Sequence, residues 1–185
     1  MSEEIIRGKV LKHDTQTRTM HWIHLLAFII LGLTGIGFYW DIAGIANIFG
    51  GPANASLVHR WTGVVFIVGP TLYILLNFDR FSRFIDTISS FSKDDFAWLK
   101  TMGGYVPFIK VEEAPPQEKY NAGQKILGGL IIIGCLLIIL TGFPMWLWKD
   151  VVSSAFLALC YNVHFWTAII MILLVAGHFF LAAIH

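Results

Sequence analysis

Residues 156–184, FLALCYNVHFWTAIIMILLVAGHFFLAAI, contain no Asp, Glu, Lys or Arg. A helix of ~20 residues crosses the ~30 Å of bilayer hydrocarbon, so this stretch is long enough to span a membrane. Three other apolar stretches precede it, and the sequence predicts transmembrane helices at about 15–40, 56–78, 124–148 and 155–185. Strands are not predicted, because none of the stretches alternates like a barrel strand. We therefore expect an all-α membrane protein, a four-transmembrane-helix bundle formed by one domain over residues 1–185.

The composition agrees with a lipid environment. Of the 185 residues, 56% are hydrophobic and 14% are charged, which is more apolar than an ordinary soluble domain. No nucleic-acid partner is predicted. The first span is not expected to be a cleaved signal, because it ends in bulky residues at 38–40 instead of small ones. Cys135 and Cys160 form no CxxC or CxxCH motif, which argues against zinc, thioredoxin chemistry and c-type haem.

The distribution of Lys and Arg predicts the orientation, because cytoplasmic segments retain positive charge. Eleven of the thirteen lie before or at the start of the first span or between the second and third, whereas Arg60 and Lys149 lie on the other side. We therefore expect both termini in the cytoplasm. The eleven are Arg7, Lys9, Lys12, Arg18, Arg80, Arg83, Lys93, Lys100, Lys110, Lys119 and Lys125.

The connection between the second and third spans is expected to lie at the membrane interface over about residues 80–100. Its aromatic and aliphatic residues recur at helical spacing, although a solvated loop is the alternative. Ser92 and Asp95 have the spacing of a capping box that opens a second short helix. The external segment 41–56 is either a surface for a partner or a loop in the headgroup region. We find no internal repeat.

Seven histidines are present, and most lie in or beside apolar spans, where an ionisable side chain is costly and indicates function. His164 and His178 are fourteen residues apart, so they come within about 40° of the same helix face. They are separated by ~21 Å along that helix. Neutral imidazole is the usual axial ligand of b-type haem, and this separation predicts two haems, each with one ligand from the fourth span.

The second ligand of each haem follows from depth in the membrane. His21 lies near the cytoplasmic end of the first span and pairs with His178, whereas His59 lies near the external end of the second span and pairs with His164. His24, one turn from His21, is a register alternative. The other alternative is that these histidines are unrelated structural residues. His13 and His185 lie at the chain ends, where we expect them to be solvated.

Four sequence features occur together in this chain: 20–22 (MHW), 57–59 (LVH), the spacing of His164 and His178, and 119–125 (KYNAGQK). They resemble one family, the gamma subunit (cytochrome b subunit) of membrane-bound respiratory formate dehydrogenase. The resemblance implies the same two ligand pairs for two haems b. It also implies that menaquinone, or a related quinone, is reduced beside the cytoplasmic haem.

The KYNAGQK segment would form the quinone pocket by this resemblance, with Asn121, Gly123 and Gln124 near the quinone. Asn and Gln offer neutral hydrogen bonds to a quinone oxygen, and Gly permits a close approach. The alternative is that these residues are the polar start of a helix at the water boundary.

The resemblance also implies partners and a place in the cell. An iron-sulfur beta subunit would feed electrons to the periplasmic haem, and a catalytic alpha subunit would hold molybdenum or tungsten at a pterin. This chain would be the quinone-reducing electron-transfer subunit, with no catalytic residue for formate itself, in a bacterial or archaeal cytoplasmic (inner) membrane. A higher oligomer of the complex is compatible with this. Family members usually continue into a basic cytoplasmic tail, whereas this sequence ends at His185.

Three other functions fit parts of the sequence. The chain could serve as the cytochrome b subunit of a nickel-iron hydrogenase or another molybdoenzyme, because nothing in it contacts formate. It could also be a haem-free membrane anchor. A stand-alone ferric reductase is a third alternative, weakened by the lack of a flavin or nicotinamide domain in this sequence.

Overall fold

The structure, a computed structural model, describes residues 5–6, 9–10, 14–106, 108–109 and 113–184. His13 and His185 therefore lie outside the described residues. Four of the described helices are long and apolar enough to cross a membrane, which confirms the predicted all-α membrane fold with four spanning helices. They are α1 (Thr15–Tyr39), α3 (Pro52–Leu76), α6 (Ala122–Leu147) and α7 (Ser154–Ile184). An antiparallel pairing of β1 (Ile5–Ile6) with β2 (Lys9–Val10) precedes them and was not predicted.

The chain divides into two compact units, and the first is Met1–Phe78. It contains α1, the short α2 (Ala43–Ile48) in the predicted external segment, and α3. Helix α1 begins after Asp14, whose carboxylate accepts a hydrogen bond from the backbone N–H of Thr17 at 2.8 Å. Helix α3 begins at Pro52, earlier than the predicted 56, because proline at the first helical position has a helical φ and needs no donor there.

The second unit is Asp79–His185. Its first helices are α4 (Phe78–Ser89) and α5 (Lys93–Thr101), which occupy the predicted interfacial segment, and α6 and α7 follow. The predicted capping box is present, since Ser92 and Asp95 each accept the other's backbone N–H. Helix α4 packs on α6 at Gly128, where a Cβ would lie 3.4 Å from a ring carbon of Phe84.

Candidate cofactor site

His59 is held within the first unit by the end of α1. Its Nδ1 lies 2.9 Å from Oγ1 of Thr34, and that hydroxyl lies 2.7 Å from the backbone oxygen of Ile30. Gly35 follows Thr34, and a Cβ there would lie 3.5 Å from Cε1 of His59. The imidazole is half-buried and forms an edge-to-face pair with Phe38, at 5.2 Å between ring centroids.

His164 is held in the same way within the second unit, by the end of α6. Its Nδ1 lies 3.0 Å from Oγ1 of Thr141, and that hydroxyl lies 2.6 Å from the backbone oxygen of Leu137. Gly142 follows Thr141, and a Cβ there would lie 3.4 Å from Cε1 of His164. The two predicted ligands thus have the same neighbours, although they lie on different helix pairs.

The sequence contains this correspondence, and our sequence analysis missed it. The tripeptide Leu-Thr-Gly occurs at 33–35 in α1 and at 140–142 in α6. The pentapeptides at 58–62 (VHRWT) in α3 and 163–167 (VHFWT) in α7 differ only at the residue after histidine. A search for a repeat of two helices, rather than of one short motif, would have found both threonines. The expectation of no internal repeat was therefore wrong at these positions.

The other two predicted ligands, His21 and His178, lie near the start of α1 and near the end of α7. His21 is exposed near the start of α1, with its ring edge on Trp22 at 5.5 Å between centroids. His178 is exposed near the end of α7. His24, the register alternative, stacks on Phe66 of α3 at 4.0 Å between centroids, and its role as an alternative ligand stays a prediction. Each predicted ligand pair joins residues of different units, so the pairing stays a prediction.

The residues at His59 and His164 fit an axially ligated haem. A histidine that ligates a metal through one ring nitrogen usually donates the other N–H to an oxygen, and Thr34 and Thr141 each present such an oxygen. A Cβ at Gly63, one turn after His59, would meet no atom within 4 Å, so the helix surface beside this histidine is open. Imidazole in apolar surroundings is also the donor type that b-type haem uses.

The KYNAGQK segment forms the start of α6. The side chain of Asn121 accepts the backbone N–H of Gln124 at 2.9 Å, and the side-chain oxygen of Gln124 accepts the backbone N–H of Asn121 at 3.1 Å. A Cβ at Gly123 would lie 2.9 Å from the indole of Trp98, so glycine is needed here for the contact with α5. The structure thus gives a helix-start explanation for these residues, and their quinone role stays a prediction.

Lys125 at the end of this segment forms a buried ion pair that the sequence did not indicate. Its Nζ lies 2.7 Å from Oδ2 of Asp95 and 3.0 Å from the backbone oxygen of Ser90. Burial by itself raises the pKa of Asp95, but hydrogen bonds from Lys125 and Ser92 outweigh it and hold that pKa below its usual range. The pair fixes α5 on the first turn of α6.

Comparison with known families decides what kind of membrane protein this is. The sequence model of the family described as prokaryotic cytochrome b561 matches residues 12–185. The chain belongs to the prokaryotic cytochrome b561 family. Because it also has four spanning helices, it is a multi-pass membrane cytochrome b with a role in electron transfer. Membership of the family implies that it binds haem b.

The chain is also similar to cytochrome subunits of formate dehydrogenases. The cytochrome b556 subunit of formate dehydrogenase from Haemophilus influenzae is 28% identical over 141 residues, which are 75% of this chain and 55% of the relative. The cytochrome b556(fdo) subunit of Escherichia coli K12 formate dehydrogenase is 24% identical over 179 residues, 95% of this chain and 80% of the relative. The cytochrome b556(Fdn) subunit of its nitrate-inducible formate dehydrogenase is 27% identical over 148 residues, 78% of this chain and 61% of the relative.

These relatives confirm the resemblance that the sequence predicted. The chain spans little more than half the length of the Haemophilus influenzae relative. The activity, substrate and partners of the complete relatives are therefore only proposed for this chain.

Proposed function

We propose that this chain is the di-haem cytochrome b subunit of a respiratory formate dehydrogenase complex. It passes electrons from a periplasmic iron-sulfur subunit across the membrane and reduces menaquinone, or a related quinone, at the cytoplasmic side. The observation that carries the proposal is the matching arrangement of His59 with Thr34 and His164 with Thr141. The similarity to three formate dehydrogenase cytochrome subunits supports the choice of complex.

The ligand pairs are His59 with His164 for the periplasmic haem iron and His21 with His178 for the cytoplasmic one. Helix geometry supports this, because His59 lies ~10 Å after the start of α3 and His164 ~15 Å after the start of α7. His21 lies ~9 Å after the start of α1, and His178 lies ~9 Å before the end of α7. With both termini in the cytoplasm, the members of each pair have similar depths.

The residues of this chain have distinct tasks in this function. Bound haem b supplies a one-electron couple between ferric and ferrous iron. The four histidines hold the irons at two depths, and the apolar helices exclude water and ions from the path between them. No Asp or Glu lies deep within the four spans of the sequence, so the chain moves electrons rather than protons across the membrane.

The quinone site is at the start of α6, at the cytoplasmic end of the spans. A quinone oxygen accepts hydrogen bonds, and the capping box uses only the side-chain oxygens of Asn121 and Gln124. Their amide NH₂ groups therefore suit a quinone oxygen. Gly123, under the Trp98 indole, places an aromatic ring beside these donors. Protons for the reduced quinone would come from the cytoplasm.

The partners follow from the same proposal. An iron-sulfur beta subunit delivers electrons at the periplasmic side, and an alpha subunit with molybdenum or tungsten at a pterin oxidises formate. The complex lies in a bacterial or archaeal cytoplasmic (inner) membrane. Electrons cross inward and protons are taken up at the cytoplasmic surface. Each electron moved against the membrane potential stores ~2.3 kcal/mol for each 100 mV.

The test is haem content by pyridine haemochrome on the detergent-purified complex, with single histidine variants. We expect two haems b per chain in the native protein and one in His21→Ala or His178→Ala, with the remaining haem still reducible by the electron donor. His24→Ala is the matched control, one turn from His21, and should retain two haems. Absence of haem from folded protein, or loss of the donor-side haem in His178→Ala, would contradict the proposal, and copurification with hydrogenase subunits would contradict the choice of complex.

A further inference from the structure

We propose that Thr34 and Thr141 are positioning residues that fix the tautomer and ring orientation of His59 and His164 and thereby lower the midpoint potential of the haem these histidines bind. The inference rests on the proposed function, because it takes His59 and His164 as axial ligands of one haem. It concerns two hydroxyl groups to which the resemblance and the comparisons assign no role.

The direction of each hydrogen bond follows from counting hydrogens. A threonine hydroxyl has one hydrogen to donate. In Thr34 it points to the backbone oxygen of Ile30 at 2.7 Å, and in Thr141 to that of Leu137 at 2.6 Å. Those carbonyls can only accept, so each threonine oxygen is left with lone pairs. The imidazole nitrogen next to it must then be the donor.

The consequence is a defined tautomer for both rings. If Nδ1 carries the hydrogen that faces Thr34 or Thr141, the neutral imidazole has its lone pair on Nε2. Nε2 is then the nitrogen whose lone pair would ligate iron. The opposite tautomer would place two lone pairs against each other at 2.9 Å in one site and 3.0 Å in the other, which is repulsive.

Burial makes water a poor substitute for these hydroxyls. Thr34 is 0% exposed and Thr141 is 8% exposed. A buried polar group without a partner is costly, so each hydroxyl is held in its place by the carbonyl and the imidazole together. The threonines are therefore rigid acceptors.

The glycine after each threonine leaves the space beside the same ring free of a side chain. A Cβ at Gly35 would lie 3.5 Å from Cε1 of His59, and one at Gly142 would lie 3.4 Å from Cε1 of His164. These are ordinary van der Waals distances for an added carbon, so the glycines leave room beside each ring. The hydrogen bond at Nδ1 is therefore the contact that orients each imidazole.

The electronic effect has a definite sign. An N–H that donates to an oxygen makes the imidazole a stronger electron donor at its other nitrogen. A stronger donor stabilises ferric iron more than ferrous iron, which lowers the midpoint potential. Both threonines act on ligands of the same haem, so the haem of His21 and His178 serves as an internal reference.

The test is a spectroscopic redox titration of the purified complex with four variants. Thr34→Val and Thr141→Val keep the side-chain shape and remove the hydroxyl, whereas Thr34→Ser and Thr141→Ser keep the hydroxyl. In each Val variant we expect one of the two midpoint potentials to become more positive while the other stays unchanged. The Ser variants should titrate like the native protein.

The outcomes separate this inference from the proposed function. A Val variant that loses one haem while the Ser variant retains both also supports the inference, because the hydroxyl is then needed to hold that ligand. Two unshifted potentials in both Val variants, equal shifts of both haems, or Ser variants that behave like Val would overturn it. Native protein without two haems b would instead refute the proposed function.

Discussion

The Nζ atom of Lys125 and the carboxylate of Asp95 are 2.7 Å apart, and both side chains are almost completely buried. Lys125 lies in the first turn of α6 and Asp95 lies in α5, so the pair connects α5 to a helix long enough to span a membrane. The backbone oxygen of Ser90 accepts a further hydrogen bond from Nζ, and Glu118 lies 3.8 Å away. These charged and hydrogen-bonding contacts hold the KYNAGQK segment against α5 through Lys125.

Removal of Lys125 should destabilise the protein strongly. Lys125→Met leaves the Asp95 carboxylate buried without its cation, and breaking a buried pair from one side costs about 3 kcal/mol or more. Thermal unfolding in detergent, followed by circular dichroism, should show a lower midpoint. The double variant Lys125→Met with Asp95→Leu should lose less than the single variant. Lys93→Met, at an exposed position of α5, is the control, and an equal loss there would contradict the prediction.

The ion pair also predicts a pH dependence. The pKa of Asp95 is held below its usual range in the folded protein, so the folded state favours the charged carboxylate. This stabilisation is present above the unfolded pKa of about 3.9 and is lost as the pH falls through the lower folded pKa. Unfolding midpoints of the native protein and Asp95→Asn should therefore differ at pH 7 and converge below about pH 4. If the unfolding midpoints of the two proteins differ by the same amount at all pH values, the prediction is wrong.

The sequence predicted the spanning helices because hydrophobic length alone specifies them. It also placed the Ser92 and Asp95 capping box, since that motif is local. It did not predict that Asp95 also forms an ion pair with Lys125. The two residues are thirty positions apart, and only the packing of α5 on α6 brings them together. Thr34 escaped notice for the same reason. A threonine in an apolar span looks ordinary until the histidine of the next helix lies beside it.

Packing of α6 on α7 should depend on Gly134. A Cβ at this position would overlap Met171, whose Cγ would lie 2.9 Å away and whose side chain is buried. Gly134→Ala should therefore lower the free energy of unfolding by about 1–3 kcal/mol, as overpacking usually does. Gly129→Ala on the same helix is the matched control, because a Cβ there meets nothing within 4 Å. If both variants unfold at the native midpoint, this contact is not tightly packed.

The predicted orientation can be checked by cysteine labelling in whole cells. Ile48→Cys in the exposed part of α2 should react with a membrane-impermeant maleimide, since the first connection is predicted to face outward. Lys119→Cys, exposed before α6, should react only after the cells are broken. The native protein, with Cys135 and Cys160 within spans, provides the background. The reverse pattern would place both termini outside and invert the assigned haem sides.

The two copies of the Val-His-x-Trp-Thr motif allow each to be tested against the other. After the histidine, one copy has Arg60 and the other has Phe165, yet both histidines form the same bond to a threonine hydroxyl. Four positions on, one copy has Gly63 and the other has Ala168. The chain thus contains two sequence variants of the same histidine–threonine arrangement. Exchanging these residues one at a time between the two copies would show which of them the hydrogen bond between histidine and threonine depends on. The others serve the packing around each helix.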